Sequence, residues 1–119
     1  MTKRYYFVWT QPPEGVSDQE FNDWYKVHVS EVLALPGFVS AERFALRLRR
    51  STSEDPPEYS FGIRYEIEGD FEEAWRWLRQ VADSGDMFST AWSEDISSIG
   101  WEAVPIGPTV VATGGGGGN

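Results

Sequence analysis

The chain has 119 residues, 40% of them apolar and 15% aromatic, which predicts one domain with a single core. It contains no cysteine, so disulfides, thiolate nucleophiles, iron–sulfur clusters and cysteine-ligated zinc are excluded. Its 19 acidic residues outnumber its 10 basic ones, and the net charge of −9 disfavours nucleic acid and anionic membranes as partners. We expect a cytoplasmic protein, because no apolar run approaches the ~20 residues that span a bilayer and no signal peptide precedes the domain.

The N-terminal part of the chain predicts a strand followed by a helix. Tyr5–Thr10 is aromatic and β-branched, with large apolar residues at odd and even positions, which favours a central strand covered on both faces. Ser17 and Glu20 form a capping-box pattern, and the apolar spacing after them predicts a helix over Asp18–Leu35 that a Pro-Gly pair ends. The apolar stripe of this helix consists of Phe21, Trp24, Tyr25, His28, Val32 and Leu35.

The middle of the chain changes to a period of two, which predicts an antiparallel hairpin. Its strands are Phe38–Arg50 and Tyr59–Glu68, and the polar linker Ser51–Pro57 joins them. We expect the register that puts the apolar residues of both strands on one face and opposite charges on the other. This register pairs Phe44 with Tyr65, Leu46 with Ile63, and Arg43 with Glu66.

The C-terminal part predicts a second helix and a last strand. Asp70 is the N-cap of this helix, Gly85 ends it, and its buried stripe is Phe71, Trp75, Leu78 and Ala82. A short helical turn within Met87–Ser93 and a strand over Ile96–Ile106 follow. We place the domain at residues 1–111 and expect residues 112–119, which contain five consecutive glycines, to be a disordered tail.

The element order β-α-β-β-α-β predicts a ferredoxin-like α+β fold, in which a four-stranded antiparallel sheet carries both helices on one face. Two helices on one face leave the other face of the sheet open. Since the first strand has large apolar residues on both sides, we expect a second copy of the chain to cover the open face in a homodimer.

His28 is the only histidine, and it lies on the apolar stripe of the first helix. One interpretation is a packed histidine, hydrogen-bonded to a tyrosine or a carbonyl. The other is a general acid/base in an aromatic pocket, because an imidazole pKa of about 6.5 suits proton transfer near neutral pH. A metal site is disfavoured, because one histidine and no cysteine leave only carboxylates to complete it.

Aromatic residues are abundant, with six Trp, five Tyr and seven Phe, and their flat rings and polar tips suit a pocket for a hydrophobic or aromatic ligand. Core packing accounts for part of this set. The candidate ligand-binding residues are Trp9, Trp24, Tyr25, Phe44, Tyr59, Tyr65 and Trp75.

The segment Phe21–Phe38 resembles the first-helix signature of EthD-like proteins of the dimeric α/β-barrel superfamily. It shares the Trp-x-x-x-His spacing of Trp24 and His28, a Leu-x-x-Pro-Gly helix end, and a following strand with Ala-Glu-Arg-Phe at 41–44. Where many EthD-type members have proline two residues after the histidine, this chain has Ser30. The resemblance implies a ferredoxin-like protomer, a barrel of two sheets in the homodimer, a pocket between sheet and helices, and an acid/base role for His28.

Residues and resemblance together predict a cofactor-free enzyme that acts on a hydrophobic, aromatic or polyketide-like small molecule. The expected reaction types are those of lyases, isomerases, cyclases and cofactor-free monooxygenases. Two alternatives stay open. One is a non-catalytic binding or accessory protein of a degradation or biosynthesis pathway, and the other is haem-related chemistry with His28 as the histidine ligand.

Overall fold

A computed structural model describes residues 3–113 of the chain. Residues 114–119 of the predicted tail 112–119 lie outside this range. The element order is β-α-β-β-α-β, as predicted, with a short 3-10 helix before the last strand. The elements are β1 (Arg4–Gln11), α1 (Asp18–Leu33), β2 (Phe38–Ala45), β3 (Phe61–Ile67), α2 (Phe71–Ser84), the 3-10 helix (Ser93–Asp95) and β4 (Ser97–Ala103).

The four strands form one antiparallel sheet in the order β2-β3-β1-β4, so β1 is central, as its composition predicted. Side chains of both helices meet the same side of this sheet, which we call the inner face. Phe21 of α1 stacks on Phe61, and Phe71 of α2 contacts the ring of Tyr6. The sheet's other side is called the outer face. The fold is therefore the predicted ferredoxin-like α+β arrangement.

Helix ends follow the predicted caps, with small differences in length. Ser17 caps α1 through a complete capping box with Glu20, but the helix ends at Leu33, two residues earlier than predicted. Asp70 caps α2, and Gly85 ends it in the left-handed conformation with φ of 78°. The last strand is shorter than predicted at both ends, and the helical turn lies at Ser93–Asp95 rather than within Met87–Ser93.

The predicted register between β2 and β3 is wrong. Phe44 lies opposite Gly62 instead of Tyr65, and Arg43 lies opposite Ile63 instead of Glu66. The observed pairing is shifted by three residues along β3, and a β-bulge between Phe38 and Ser40 supplies one of them, which reverses the alternation of the strand. Leu46 likewise does not pair with Ile63. Its backbone N–H instead donates to the Ser60 carbonyl at 2.8 Å.

The bulge decides which side chains of β2 face the helices. Ala41, Arg43 and Ala45 pair with inward-facing residues of β3, whereas Glu42 and Phe44 face outward. The observed register also places Glu42 opposite Arg64, and the two side chains form an ion pair at 3.4 Å. The Glu42–Arg64 pair on the outer face therefore replaces the Arg43–Glu66 pair that the sequence predicted.

Candidate functional site

A cavity of about 260 Å³ lies between the inner face of the sheet and the two helices. The sheet supplies its floor, the helices supply two walls, and the segment before β4 supplies the third. This volume lies below the ~300–1,000 Å³ usual for drug-sized ligands, so it suits a molecule of one or two rings. The ring-bearing residues that line the cavity are Tyr6, Trp24, Tyr25, His28, Tyr65 and Trp75.

Five of the eight predicted site residues lie together in this cavity: His28, Trp24, Tyr25, Tyr65 and Trp75. The helical stripe of α1 brings three of them to one wall, because positions three and four apart share a face. β3 and α2 each contribute one of the other two. The sequence therefore predicted most of the aromatic wall.

The other three predicted residues lie elsewhere. Trp9 and Tyr59 line a separate groove beside the β2–β3 connection, and Phe44 is on the outer face. Trp9 alternates with the inward-facing Val8 on β1, so its ring points away from the helices. Phe44 is turned outward by the β2 bulge.

His28 is held between aromatic rings on α1. Its ring stacks on that of Trp24 with centroids 4.8 Å apart, and it meets the edge of Tyr25 at 5.3 Å. Burial lowers the pKa of His28 from its usual value, and the nearby charge of Glu31 acts in the opposite direction. The imidazole is therefore neutral at pH 7 and can accept a proton.

The hydrogen bond expected of a purely packed histidine is not found at one of the ring nitrogens. His28 Nδ1 is buried and has no hydrogen-bond partner within residues 3–113. The nearest helical carboxylate, Glu31, uses its Oε2 to accept from the Phe88 backbone N–H at 2.8 Å. Glu31 thus ties the segment before β4 to α1.

The floor of the cavity is a cluster of tyrosines. Tyr65 is only 2% exposed, and its ring stacks on that of Tyr6 at 6.1 Å. Burial raises the pKa of Tyr65 far above its ordinary value and raises that of Tyr25 to about 12. These phenols are therefore protonated at neutral pH and can donate hydrogen bonds.

Two residues of this region were not among the predicted site residues. Tyr6 lines the cavity and meets the edge of Trp75 at 5.3 Å. Strict alternation along β1 would have found it, since Tyr6 and Val8 face opposite to Phe7. Arg43 lies beneath the cavity wall, with its guanidinium 4.4 Å from the centre of the Tyr25 ring. The bulge hid this position from sequence reasoning.

Metal binding and membrane insertion find no support in the described part of the chain. Residues 3–113 contain no group of three or more His, Cys, Asp or Glu side chains placed to hold a metal ion. In the same residues, neither helix has the length and apolar character needed to cross a bilayer.

Solved structures similar to this chain share its architecture. A dimeric ferredoxin-like protein of unknown function from Thermobifida fusca YX has a TM-score of 0.50 at 9% identity, over 87% of this chain and 92% of that one. A candidate monooxygenase from Shewanella loihica PV-4 has a TM-score of 0.57 at 14% identity, over 91% of this chain and 99% of that one. This chain therefore shares its fold with both structures. No protein-family profile and no curated protein matches the sequence.

Proposed function

We propose that this ferredoxin-like protein is a cofactor-free enzyme that acts on a small hydrophobic, aromatic or polyketide-like molecule, with His28 as its general acid/base. The observation that carries the proposal is a buried imidazole, with an unpartnered Nδ1, on a residue that lines an aromatic cavity. Burial also lowers the pKa of His28, which favours the neutral form. The EthD-like resemblance of residues 21–38 supports the same role. A similar fold in a candidate monooxygenase is compatible with small-molecule chemistry.

The chemistry that suits a buried neutral imidazole is proton abstraction from a weakly acidic C–H or O–H group. In an enolisable ketone, His28 takes the proton from the carbon next to the carbonyl. The electron pair of the broken C–H bond forms the new C=C bond, and the carbonyl oxygen becomes the enolate oxygen. Isomerases, lyases and cyclases share this first step, and return of the proton from His28 restores the base.

The cavity walls support a planar ligand. Trp24 and Trp75 supply large flat surfaces, and Leu78 and Met87 complete an apolar lining. An aromatic or polyketide-like ring would pack between these groups, so that binding energy positions the reacting carbon against His28. Exclusion of water by the same walls favours the neutral imidazole that the reaction requires.

Hydrogen–deuterium exchange tests the proposal without knowledge of the natural substrate. The probe is 1-tetralone, a two-ring ketone whose protons next to the carbonyl exchange slowly in D₂O. We expect the protein to accelerate this exchange, and His28→Gln to reduce the acceleration by about 10²–10⁴-fold, the usual contribution of a general acid/base. Gln has similar length and keeps hydrogen-bonding capacity, so tetralone affinity should be preserved.

The controls separate catalysis from binding and from folding. Circular dichroism and a calorimetric titration with 1-tetralone would show that His28→Gln is folded and still binds the probe. Tight binding without accelerated exchange in the wild-type protein would favour the non-catalytic binding protein. Exchange that persists in His28→Gln would contradict the acid/base role.

We also propose that two copies of the chain associate through their outer faces. Tyr5, Phe7 and Trp9 form a row of rings along β1, and Trp101 and Ile99 of β4 lie beside them. On the same face, Arg64 and Glu42 form an ion pair within the protomer, and Glu66 accepts a hydrogen bond from Ser40 Oγ.

A second copy fits this surface better than a charged partner does. Two chains of charge −9 repel each other over most of their surfaces, but the outer face combines apolar rings with the Arg64–Glu42 pair, whose charges cancel. Burial of one such face against another removes apolar surface from water while Arg64 and Glu42 remain paired. The dimeric ferredoxin-like protein with the same fold supports this arrangement.

A further inference from the structure

We propose that Tyr65 binds a carbonyl oxygen of the ligand, so that the substrates of this cavity are cyclic ketones whose carbonyl adjoins an enolisable carbon. This inference rests on the proposed function and names its substrate class. Tyr65 is the hydrogen-bond donor to the carbonyl oxygen, and His28 removes the proton from the adjacent carbon. The geometry that carries it is a buried hydroxyl, without a partner in the described chain, on a residue that lines the floor of the cavity.

The Tyr65 hydroxyl is the most deeply buried unpaired polar group of the cavity. The residue is 2% exposed and lines the cavity, and its hydroxyl has no hydrogen-bond partner in the part of the chain described. Buried polar groups in folded proteins nearly always find a partner, because an unpaired one loses its hydration without compensation. An acceptor supplied by a ligand would provide that partner.

The rings around Tyr65 within residues 3–113 provide no hydrogen-bond acceptor for its hydroxyl, so a ligand can provide one. Its ring stacks on that of Tyr6 and meets the edge of Phe38 at 5.8 Å, so aromatic surfaces surround it. Burial raises its pKa, the nearby Tyr25 and Tyr6 raise it further, and the charge of Arg43 opposes them. The hydroxyl therefore keeps its proton and acts as a donor.

One cavity is thus lined by a residue that carries a donor and by a residue that carries an acceptor. Tyr65 offers an O–H group, and the neutral His28 offers a ring nitrogen that can take a proton. An enolisable ketone is complementary to both, because it has an acceptor oxygen and an acidic C–H on adjacent atoms. A hydrocarbon of the same shape would satisfy neither group.

The same placement would favour the transition state. As His28 removes the proton from the carbon, negative charge develops on the former carbonyl oxygen. A donor already aimed at that oxygen stabilises the enolate more than the neutral ketone, in the manner of an oxyanion hole. Trp24 Nε1 is a second buried donor without a partner in the described chain, and it belongs to a residue of the same cavity wall.

A pair of matched probes tests the inference. 1-Tetralone carries the carbonyl, and tetralin has the same two rings without it. We expect the wild-type protein to bind 1-tetralone about tenfold or more tightly than tetralin, since a site built around a hydrogen-bond donor discriminates against a ligand that lacks the acceptor. Tyr65→Phe removes only the hydroxyl, so it should abolish this preference while retaining tetralin affinity.

The matched control is Tyr5→Phe, which makes the same change on the outer face. This control should leave the ratio of the affinities for 1-tetralone and tetralin unchanged. If Tyr65→Phe also leaves this ratio unchanged, or if the wild-type protein binds both probes equally, the donor role of Tyr65 is overturned.

The exchange assay distinguishes this failure from failure of the proposed function. If exchange depends on His28 but Tyr65→Phe still prefers 1-tetralone to tetralin, the enzyme proposal is supported and the donor role of Tyr65 is overturned. If Tyr65→Phe loses this preference but the wild-type protein does not accelerate exchange, the donor role is supported and the enzyme proposal is overturned. A protein that binds neither probe would overturn both.

Discussion

The inner and outer faces of the sheet are both rich in aromatic rings, but their polar groups differ. On the inner face, Tyr65 and His28 carry buried polar atoms without partners in the described chain. On the outer face, Arg64 pairs with Glu42 and lies over the Tyr5 ring at 5.2 Å, and its buried Nε has no partner in the described chain. Neither aromatic content nor an unpaired polar atom alone therefore identifies a ligand site. Unpaired polar atoms of residues that line a cavity point to a ligand, whereas an ion pair among exposed rings points to a protein surface.

The largest expected effect is loss of self-association when the outer face is charged. Trp101 lies on this face beside Phe7 and is 54% exposed in the single chain. Trp101→Lys would place an ammonium group between two apolar faces, where its desolvation is unfavourable. We expect the wild-type protein to have twice the 13.5 kDa mass of one chain in light scattering, and the variant to have the mass of one chain.

Trp77 supplies the matched control for this experiment. It is a tryptophan of similar exposure, 40%, but it lies on α2 and away from the outer face. Trp77→Lys should leave the dimer intact. A wild-type protein that stays monomeric at micromolar concentration would contradict association through the outer face, and dissociation of both variants would show that the effect is not specific to that face.

A smaller effect is expected where the backbone of β3 makes room for an outer-face ring. A Cβ added at Gly62 would lie 2.5 Å from ring atoms of Trp9, which pairs with Gly62 across the strands. The ring would have to leave its position, so Gly62→Ala should reduce the free energy of unfolding by about 1–3 kcal/mol, as overpacking usually does. Urea unfolding measures this change.

Gly107→Ala is the control for the effect of the methyl group itself. Nothing lies within 4 Å of a Cβ added at Gly107, and its backbone is not in the left-handed region. Its free energy of unfolding should stay close to that of the wild type. An equal loss of stability in both variants would mean that the Trp9 contact is not the cause.

The register error shows what limits prediction from this sequence. The capping box at Ser17, the glycine that ends α2 and the element order are local signals, and the structure confirms them. The β2 bulge is not local, because the pairing of Phe38 with Ile67 and of Ser40 with Glu66 is set by two strands together. Alternation counted from Phe38 therefore assigned Phe44 to the wrong face.

The residues of the candidate site also fall into two groups, those that local periodicity places and those that depend on strand pairing. Trp24, Tyr25 and His28 share a helix, so periodicity alone places them together. A strand residue reaches the cavity only if its face is known. Tyr6 and Trp9 have equally aromatic side chains, yet only the even-numbered positions of β1 face the helices. Arg43 required the bulge to be known as well.

Arg43 allows a third, smaller test on the inner face. Its Nη1 donates to Asn22 Oδ1 at 2.8 Å, and its plane lies over the Tyr25 ring. Lysine keeps the charge but loses the planar group that makes both contacts at once. Arg43→Lys should therefore reduce the free energy of unfolding by about 1 kcal/mol, the usual size of a cation–π contact at a partly buried site.

The exposed Arg49 provides the comparison for this substitution. Arg49→Lys should change the urea midpoint little, because exposed charges contribute little to stability. If Arg43→Lys unfolds at the same urea concentration as Arg49→Lys, the stacked guanidinium does not stabilise the inner face. A double substitution of Arg43 and Tyr25 would then be unnecessary, since no coupling remains to be measured.

The smallest expected effect is a pH dependence that comes from His28. Burial lowers its pKa in the folded protein below the value of 6.5 that applies to the unfolded chain, while Glu31 opposes this change. Between these two pKa values the unfolded state binds more protons, so the folded state loses stability as the pH falls below 6.5. The contribution of His28 is fully present above that pH, and His28→Gln should lack it.

The difference in unfolding free energy between wild type and His28→Gln isolates this contribution. Carboxylates also titrate as the pH falls, but they are common to both proteins and cancel in the difference. We expect the difference to favour the wild type more at pH 7.5 than at pH 5.5, as measured by urea unfolding. A difference that grows toward pH 5.5 would mean that Glu31 outweighs burial and that His28 is charged in the folded state. Such an imidazole would already carry the proton that the proposed reaction requires it to accept, so this small effect bears directly on the acid/base role.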